Sequence, residues 1–243
     1  MEYFSTTNSE KSQTLVFLHG WGASWESWSP ILEKLKEDFD LFAFDLPGFD
    51  NQKIEKEMNL NDYINFVKKT LKKRKIKNPI LIGHSFGGAI ASKIVAENLY
   101  SIKKLILVDA AAIRHPYTKS QKIKFKILGI FKKIFPFAKN FYYKINKLQN
   151  SDYASLANNP VMQKTFQNII KEDLSQIISK IKTPTLIIWG ENDTYTPLID
   201  GQKINSLIPN SKMIIYPNSS HFSYLENQDI FIKDIKKFVQ NEN

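Results

Sequence analysis

Short runs of apolar residues alternate along the chain with longer segments in which apolar positions recur every three or four residues. The first pattern is typical of buried strands and the second of amphipathic helices. Together they predict strands over residues 14–18, 41–44, 80–83, 105–109, 185–189 and 212–216, and helices over 25–36, 60–73, 86–99, 198–207 and 227–240. Because strands that alternate with helices pair in parallel, with helices on both faces, the pattern predicts an α/β fold with a mostly parallel, doubly wound sheet.

One predicted turn has the composition of a catalytic motif. Gly83-His84-Ser85-Phe86-Gly87 lies between the apolar run 80–82 and a helical segment rich in small residues. A strand that turns sharply into a helix lifts the residue at its apex above the sheet, and little side chain fits on either side. Gly83 and Gly87 meet that requirement. The pattern predicts that Ser85 is a nucleophile; the alternative is an ordinary strand-to-helix turn whose serine has no chemical role.

A serine hydroxyl needs a general base and a group that orients the base, and both follow in the chain. Asp193 lies in a turn after the predicted strand 185–189, at the carboxyl end of that strand. His221 lies in the loop after the strand 212–216, just before the last helix. We therefore expect His221 to exchange a proton with Ser85, and Asp193 to orient the imidazole and stabilise its protonated form.

Other residues compete for both roles. The remaining histidines are His19, His84 and His115, and none follows the late strands where a base is expected. The competing acids are Asp109, at the end of the run 105–108, and Glu191, in the same turn as Asp193. We favour Asp193, because Asp109 is equally well explained as a cap on the segment that follows its strand.

Acyl transfer also needs two N–H groups that bind the developing oxyanion. Phe86, directly after the nucleophile, is expected to supply one. Trp21, in the glycine-flanked turn His19-Gly20-Trp21-Gly22 after the first predicted strand, is expected to supply the other through its backbone. Trp21, Phe86 and Phe222 are also candidate substrate contacts, although Trp21 is equally compatible with simple packing at the sheet edge. Trp25 and Trp28 are spaced as one helix face packed on the core.

These residues form an ordered set of landmarks that resembles the α/β-hydrolase family over almost the whole chain. The landmarks are His19-Gly20-Trp21-Gly22, Asp45-Leu46-Pro47-Gly48-Phe49, Gly83–Gly88, Gly190-Glu191-Asn192-Asp193 and Ser220-His221-Phe222. The first two are similar to those of the branch that contains the pimeloyl-carrier-protein methyl ester esterases, and they occur in other small esterases too. The family often continues the Pro-Gly-Phe turn with a small residue and serine, whereas Asp50-Asn51-Gln52 follow here.

The resemblance implies a serine hydrolase that cleaves carboxylic esters through an acyl-serine intermediate. Its substrate would be a small-molecule acyl ester or a lactone; a carrier-protein ester or thioester, or a diketone cleaved at a carbon-carbon bond, would use the same residues. Proteins of this fold that bind ligands or partners without catalysis are the alternative of another class. The resemblance also implies a hydrolase core formed by residues 1–111 and 182–243, with a helical cap inserted at 112–181.

The first half of this insertion has an unusual distribution of charge. Residues 114–150 contain ten of the 34 Lys and Arg residues and none of the 24 Asp and Glu residues, so the net charge of +10 resides in this segment. Bulky apolar residues alternate with the lysines, which predicts helix with one apolar and one basic face. Three interpretations stay open: an ordinary lid over an acyl pocket, a docking surface for an acidic carrier protein, or attachment to an anionic membrane surface. Nucleic acid is not expected, because no nucleic-acid-binding motif accompanies the basic residues.

The remaining composition narrows the class of protein. A chain of 243 residues with 42% hydrophobic residues is long enough for one enzyme domain with an insertion. It has no cysteine, which excludes disulfides and thiolate chemistry. No long apolar run or basic leader is present, so we expect a cytoplasmic protein. Since no phosphate-binding loop or paired histidine motif occurs, we expect the chemistry to need no cofactor or metal.

Overall fold

The computed structural model describes residues 3–6, 13–50, 52–114 and 159–240. Within them lie the strands β1 (Tyr3–Thr6), β2 (Thr14–Leu18), β3 (Asp40–Phe44), β4 (Ile80–His84), β5 (Lys104–Val108), β6 (Thr185–Gly190) and β7 (Ser211–Tyr216). The helices of the same residues are α1 (Ser29–Leu35), α2 (Leu60–Lys73), α3 (Phe86–Ala96), α4 (Pro160–Ile169), α5 (Ser175–Ile178), α6 (Leu198–Leu207), α7 (Ser223–Glu226) and α8 (Gln228–Gln240).

The strands form one sheet in the order β1-β3-β2-β4-β5-β6-β7. Neighbouring strands are parallel except for β1, which pairs antiparallel with β3. The predicted mostly parallel, doubly wound sheet is therefore confirmed. Since β2 has β3 on one side and β4 on the other, the strand order reverses beside β2, and the carboxyl ends of β2 and β4 meet where α/β sheets commonly bind ligands.

Each face of the sheet carries its own core of apolar side chains. On one face α2, α3 and α4 contribute Val67, Ile94 and Met162 to a cluster with residues of β2 and β4. On the other face α1 and α8 pack Leu32 and Ile235 against alternate residues of the same strands. Both faces of the central strands are thus covered, which explains why these strands are continuous apolar runs in the sequence.

Most predicted elements lie within one residue of their expected bounds, and α2 has the predicted bounds. Its first turn is fixed by a capping box: the Asn59 side chain accepts from the Asp62 N–H at 3.2 Å, and the Asp62 carboxylate accepts from the Asn59 N–H at 2.8 Å. This reciprocal pairing satisfies N–H groups that have no partner within the helix.

Two predicted helices differ from the structure. The helix expected over 25–36 is a 3-10 turn (Trp25–Trp28) followed by α1, with Pro30 in the first turn of α1, where its missing N–H costs no helical hydrogen bond. Trp28 is fully buried and Trp25 partly buried in one core cluster, as their spacing predicts. The helix expected to reach residue 99 ends at Ala96, because Asn98 adopts a left-handed backbone with φ of 51°.

Two elements have bounds that the periodicity of the sequence does not predict: β1 at the sheet edge, and α4 within the segment 112–181, where only a helical cap is expected. β1 is a half-exposed strand of four residues at the sheet edge, where the sequence predicts only a reduced front edge. α4 is fixed to the loop after β3, since the Met58 N–H donates to Thr165 Oγ1 at 3.0 Å and Lys164 lies 3.0 Å from Glu57. The amphipathic basic helix expected in 114–150 lies outside the described residues, apart from Arg114.

Candidate active site

Ser85 occupies the turn between β4 and α3 in a strained backbone conformation. Its φ is 50° and its ψ is −112°, in a region that residues with a side chain rarely adopt. The turn is held from β5, because the Ser85 N–H donates to the carbonyl of Val108 at 3.0 Å. The strand-to-helix turn expected from the sequence is therefore present, with the serine at its apex.

The glycines on either side of the serine allow close contact between backbones. A Cβ at Gly83 would lie 2.4 Å from the carbonyl oxygen of Gly87, and a Cβ at Gly87 would lie 2.3 Å from that of Leu18. Both distances are far below van der Waals contact. Any larger residue would push α3 away from β2 and β4, so the glycines are needed for packing as predicted.

His221 lies beside Ser85, although 136 residues separate them in the sequence. Its Nε2 atom is 3.0 Å from Ser85 Oγ, within hydrogen-bond distance, and its Nδ1 atom is 2.7 Å from Asp193 Oδ2. Nδ1 donates to the carboxylate, so Nε2 is the nitrogen that accepts from the serine hydroxyl. The three residues that the sequence selected thus form one continuous hydrogen-bonded series.

The carboxylate of Asp193 is buried and fully engaged. Besides His221, it accepts from the N–H groups of Tyr195 and Thr196 at 2.8 and 3.0 Å, and from Thr196 Oγ1 at 2.7 Å. Burial by itself would raise the pKa of Asp193, but the hydrogen bonds and charge of His221, together with Thr196, outweigh it and hold the pKa below its ordinary value. The group therefore remains an anion beside the imidazole.

Thr196 is a residue of this site that the sequence reasoning did not select. Its hydroxyl donates to Asp193 and lies 3.3 Å from His221 Nδ1. Its position three residues after Asp193, in the turn before Pro197, is the sequence signal that could have indicated it, since threonine there can bond back to an aspartate.

The competing acids have other partners. Glu191 accepts from the N–H of Asn218 at 3.0 Å, at an exposed position. Asp109 follows β5 and is buried; its carboxylate accepts from the Gly190 N–H at 2.8 Å and from Ser223 Oγ at 2.6 Å. Its expected alternative role as a cap on the following segment is therefore replaced by a link between the end of β6 and α7.

Asp109 is also an unusual acid. Burial raises its pKa to about 7, although the hydrogen bonds from Ser223 and Gly190 act in the opposite direction. Asp193 contributes to the increase, since its negative charge disfavours a second anion nearby. The two carboxyl groups thus differ in pKa because the Asp193 carboxylate is hydrogen-bonded to the imidazole of His221, whereas Asp109 has only Ser223 and Gly190 as donors.

The other described histidines have structural partners. His19 Nδ1 donates to the Gly20 carbonyl at 2.8 Å, and its Nε2 accepts from the Leu46 N–H at 2.9 Å. Burial lowers the pKa of His19 to about 4. His84 precedes the nucleophile and donates from Nε2 to the carbonyl of His221 at 2.8 Å. His115 lies outside the described residues.

The loop after β2 lies against the nucleophile. A Cβ built on Gly20 would be 3.4 Å from Ser85 Cβ, so the turn that contains Trp21 borders the site. Phe86 is the first residue of α3, where backbone N–H groups have no acceptor within the helix. Both predicted donors thus belong to segments adjacent to Ser85.

Aromatic side chains surround this loop. The Trp21 ring packs against Phe49, Phe86 and Phe166, with ring centroids 4.8 to 5.5 Å apart. Phe166 belongs to α4, so this helix also contributes to the cluster. Phe222 is 44% exposed, and its ring centroid lies 5.6 Å from that of His221. The three predicted substrate contacts therefore all lie around the site, two of them in one aromatic cluster.

Neither metal-ligand clusters nor membrane-spanning helices occur in the described residues. Over 3–6, 13–50, 52–114 and 159–240, no group of three or more His, Cys, Asp or Glu side chains could hold a metal ion. Over the same ranges, every helix is too short or too polar to cross a bilayer.

A parallel sheet with a strained serine after a central strand, and an acid and a histidine after later strands, defines the class of α/β hydrolases. The sequence profile of the alpha/beta hydrolase family matches residues 15–233, and the chain belongs to this family. The resemblance seen in the sequence landmarks is thereby confirmed.

Among its relatives are enzymes named pimeloyl-[acyl-carrier protein] methyl ester esterase. The protein of this name from Wigglesworthia glossinidia brevipalpis is 29% identical over 96% of this chain and 95% of its own length. The one from Pseudoalteromonas atlantica is 27% identical over 90% of this chain and 92% of its own length. The branch indicated by the His-Gly-Trp-Gly and Asp-Leu-Pro-Gly-Phe motifs is thus represented among the relatives.

Solved structures of other proteins share the fold of this chain. An esterase from Exiguobacterium antarcticum superposes with a TM-score of 0.74 at 21% identity, covering 99% of this chain and 94% of that one. The enol-lactonase from Burkholderia xenovorans LB400 superposes with a TM-score of 0.75 at 17% identity, covering 99% and 96%. At such identities the likeness describes the architecture alone.

Proposed function

We propose that this protein is a serine hydrolase that cleaves carboxylic esters through an acyl-serine intermediate. The observation that carries the proposal is the hydrogen-bonded series from Ser85 Oγ through His221 to Asp193, with separations of 3.0 and 2.7 Å. Such a series turns a weak nucleophile into an effective one, because the imidazole removes the hydroxyl proton as the oxygen attacks.

The reaction proceeds in two halves. Ser85 Oγ attacks the ester carbonyl while its proton passes to His221 Nε2, and the tetrahedral intermediate then expels the alcohol, which receives that proton. A water molecule attacks the acyl-serine in the same manner; the acid product leaves and Ser85 regains its proton. Asp193 stays ionised throughout, fixes the Nδ1–H tautomer of His221 and stabilises the imidazolium.

The oxyanion of each intermediate is assigned to the backbone N–H groups of Trp21 and Phe86. This assignment rests on the positions of the two residues. Trp21 follows Gly20, which borders Ser85, and Phe86 is the first residue of α3. The positive end of the α3 dipole lies at the same point and favours the developing negative charge.

The acyl group is assigned to the aromatic cluster beside the serine. The side chains of Trp21 and Phe86 form its wall, together with Phe49 and Phe166. Phe222, which is half-exposed next to His221, would contact the substrate at the rim of the site. Residues 1–111 and 182–243 would form the hydrolase core, and the insertion 112–181, which includes α4 and α5, would cover the acyl group as a lid.

Replacing the nucleophile tests the proposal. We expect Ser85→Ala to reduce the turnover of a short p-nitrophenyl ester by at least roughly a thousandfold, because loss of a triad member removes the covalent route. Labelling by a fluorophosphonate probe should disappear as well. Ser92→Ala is the matched control, since Ser92 is buried in α3 and its hydroxyl makes no hydrogen bond within the described residues.

Turnover and fluorophosphonate labelling also distinguish an enzyme from a non-catalytic binding protein of the same fold. If the unmodified protein fails to react with the fluorophosphonate, a non-catalytic role in binding a ligand or partner is favoured. If Ser85→Ala retains full turnover, the assignment of the nucleophile is wrong.

Among substrates, we propose a carboxylic ester carried by an acidic acyl carrier protein. Two observations favour it: relatives over almost the full length are named for such an ester, and the segment 114–150 carries ten basic and no acidic residues. A positive surface steers a negatively charged protein toward it, and salt weakens this attraction.

A hydrolysis panel distinguishes this substrate from the alternatives. It should include short and long acyl esters, a lactone, an acyl-carrier-protein methyl ester and the corresponding thioester, each at low and high salt. We expect high salt to reduce turnover of the carrier-linked substrates only, because the carrier protein is the part of each substrate that the positive charge attracts. Equal salt response across the panel contradicts carrier docking and favours a plain lid, whereas activation of the small esters by anionic vesicles favours the membrane surface.

A further inference from the structure

His84 lies next to the nucleophile but takes no part in the proton transfers described above. It is the last residue of β4, and its side chain is 2% exposed. Its ring lies among those of Trp28, Phe222 and Tyr224, with centroids 5.0 to 6.3 Å apart. Packing alone would account for an aromatic residue here, yet it would not require an imidazole.

The imidazole makes one specific hydrogen bond, and it is directed at the general base. His84 Nε2 donates to the backbone carbonyl of His221 at 2.8 Å, across 137 residues of sequence. Nδ1 has no hydrogen-bond partner within the described part of the chain. Because a carbonyl can only accept, the ring must carry its proton on Nε2.

The protonation state of this ring is fixed by its surroundings. Burial, together with the nearby charge of His221, lowers the pKa of His84 to about 3. The ring is therefore neutral over the pH range in which ester hydrolysis by a histidine base operates, and it does not compete with His221 for a proton.

A third loop also contacts this ring. A Cβ on Gly20 would lie 2.8 Å from His84 Nδ1, so the loop after β2 packs closely against the imidazole. His84 thus joins the segments that carry the nucleophile, the base and the proposed oxyanion donor Trp21. Each of these segments leaves a different strand of the sheet.

We propose that His84 is a positioning residue that holds the main chain of His221 at the correct distance from Ser85. The side chain of His221 is held by Asp193 at Nδ1, and its backbone is held by His84 at the carbonyl. Because His84 directly precedes Ser85, its hydrogen bond to the His221 carbonyl ties the backbone of the base to the backbone of the nucleophile and limits the distance between them. The inference depends on the proposed serine mechanism.

Two substitutions separate this role from packing. His84→Phe keeps an aromatic ring but removes the donor, whereas His84→Gln places an amide N–H near the position of Nε2 but packs less well. We expect His84→Phe to lower kcat for a p-nitrophenyl ester by at least roughly tenfold with KM within about twofold, since small displacements of catalytic groups reduce the rate strongly. His84→Gln should recover part of kcat.

The thermal stabilities of the two variants show whether a loss of kcat results merely from poorer packing. Thermal unfolding should rank His84→Phe as at least as stable as His84→Gln, so activity and stability would follow opposite orders. A side chain with a merely structural role predicts the same order for both. Ser92→Ala, a buried substitution in the adjoining helix, should leave kcat unchanged.

Two results would overturn the role of His84: a kcat for His84→Phe within twofold of the unmodified protein, or losses of kcat that follow the losses of Tm in both variants. If His84→Phe does not fold, His84→Gln and His84→Ala are compared instead, and equal kcat in these two counts against the proposal. Failure of the serine mechanism itself is recognised separately, because the unmodified protein would then not react with a fluorophosphonate.

Discussion

Two buried aspartates of this site show how environment assigns different properties to the same side chain. Asp193 receives hydrogen bonds from His221 and Thr196, and its pKa is lowered in spite of burial. Asp109 receives only neutral donors, from Gly190 and Ser223, and burial raises its pKa to about 7. A buried carboxylate that is hydrogen-bonded to an imidazole is stabilised as an anion, whereas burial without such a partner disfavours the anion.

The raised pKa of Asp109 makes a testable prediction about stability. Because the folded protein binds this proton more tightly than the unfolded chain, the contribution of Asp109 to stability is complete below pH 4 and is lost as pH rises through about 7. Asp109→Asn removes the titration. We expect the difference in Tm between this variant and the unmodified protein to shift in favour of the variant between pH 4 and pH 8.

Thermal unfolding monitored by circular dichroism at several pH values measures this shift. Asp229→Asn is a suitable control, since Asp229 is 92% exposed and pairs only with Lys34 on the surface among the described contacts. A difference in Tm between Asp109→Asn and the unmodified protein that stays constant from pH 4 to pH 8 would contradict a raised pKa.

At the scale of elements, the unit formed by β4, the turn at Ser85 and α3 depends on close backbone packing. α3 is buried along its whole length, and it contacts β2, β4 and β5. Gly83, Gly87 and Gly88 allow this contact, since a Cβ at Gly88 would also lie 2.5 Å from the Cβ of Ala110. The position of the serine above the sheet therefore depends on the absence of side chains below it.

Alanine substitutions at Gly87 and Gly22 test whether close backbone contact requires glycine in this unit. Gly87→Ala would place a Cβ 2.3 Å from the carbonyl oxygen of Leu18, and we expect it to lower the free energy of unfolding by about 3 kcal/mol. Gly22→Ala meets no atom within 4 Å but must adopt a φ of 75°, which costs about 1 kcal/mol. Urea unfolding of both variants measures the difference. Equal losses would show that backbone contact is not the constraint at Gly87.

At the scale of the molecule, one sheet separates two apolar cores, and its central strands contribute side chains to both of them. Leu32 lies in one core and Ile94 in the other, and both are fully buried. Since the central strands contribute alternate side chains to each core, neither core can persist when the sheet is lost. We expect the two faces to unfold together.

Core truncations on the two faces examine this coupling. Leu32→Ala and Ile94→Ala should each lower the free energy of unfolding by about 2–5 kcal/mol, because each leaves a cavity among buried side chains. In both variants a single urea transition should be observed, with circular dichroism and tryptophan fluorescence coincident. A variant in which only one of these signals shifts would contradict unfolding of the two cores as one unit.

The sequence by itself determined the strands β2 to β7, most helices and the choice of Ser85, His221 and Asp193. Buried parallel strands are short apolar runs, and amphipathic helices repeat every three or four residues, so local periodicity is sufficient to predict them. The glycines around Ser85 and the positions of Asp193 and His221 after late strands could be read for the same reason, since the carboxyl ends of parallel strands share one edge of the sheet.

Tertiary structure alone decided the contacts that join distant segments. The hydrogen bond from His84 to His221, the link from Asp109 to Gly190 and Ser223, and the packing of α4 against the loop after β3 connect residues 81 to 137 positions apart. No local pattern records such pairs, because the order of strands in the sheet, and not their spacing in the chain, places these side chains within hydrogen-bond distance of each other.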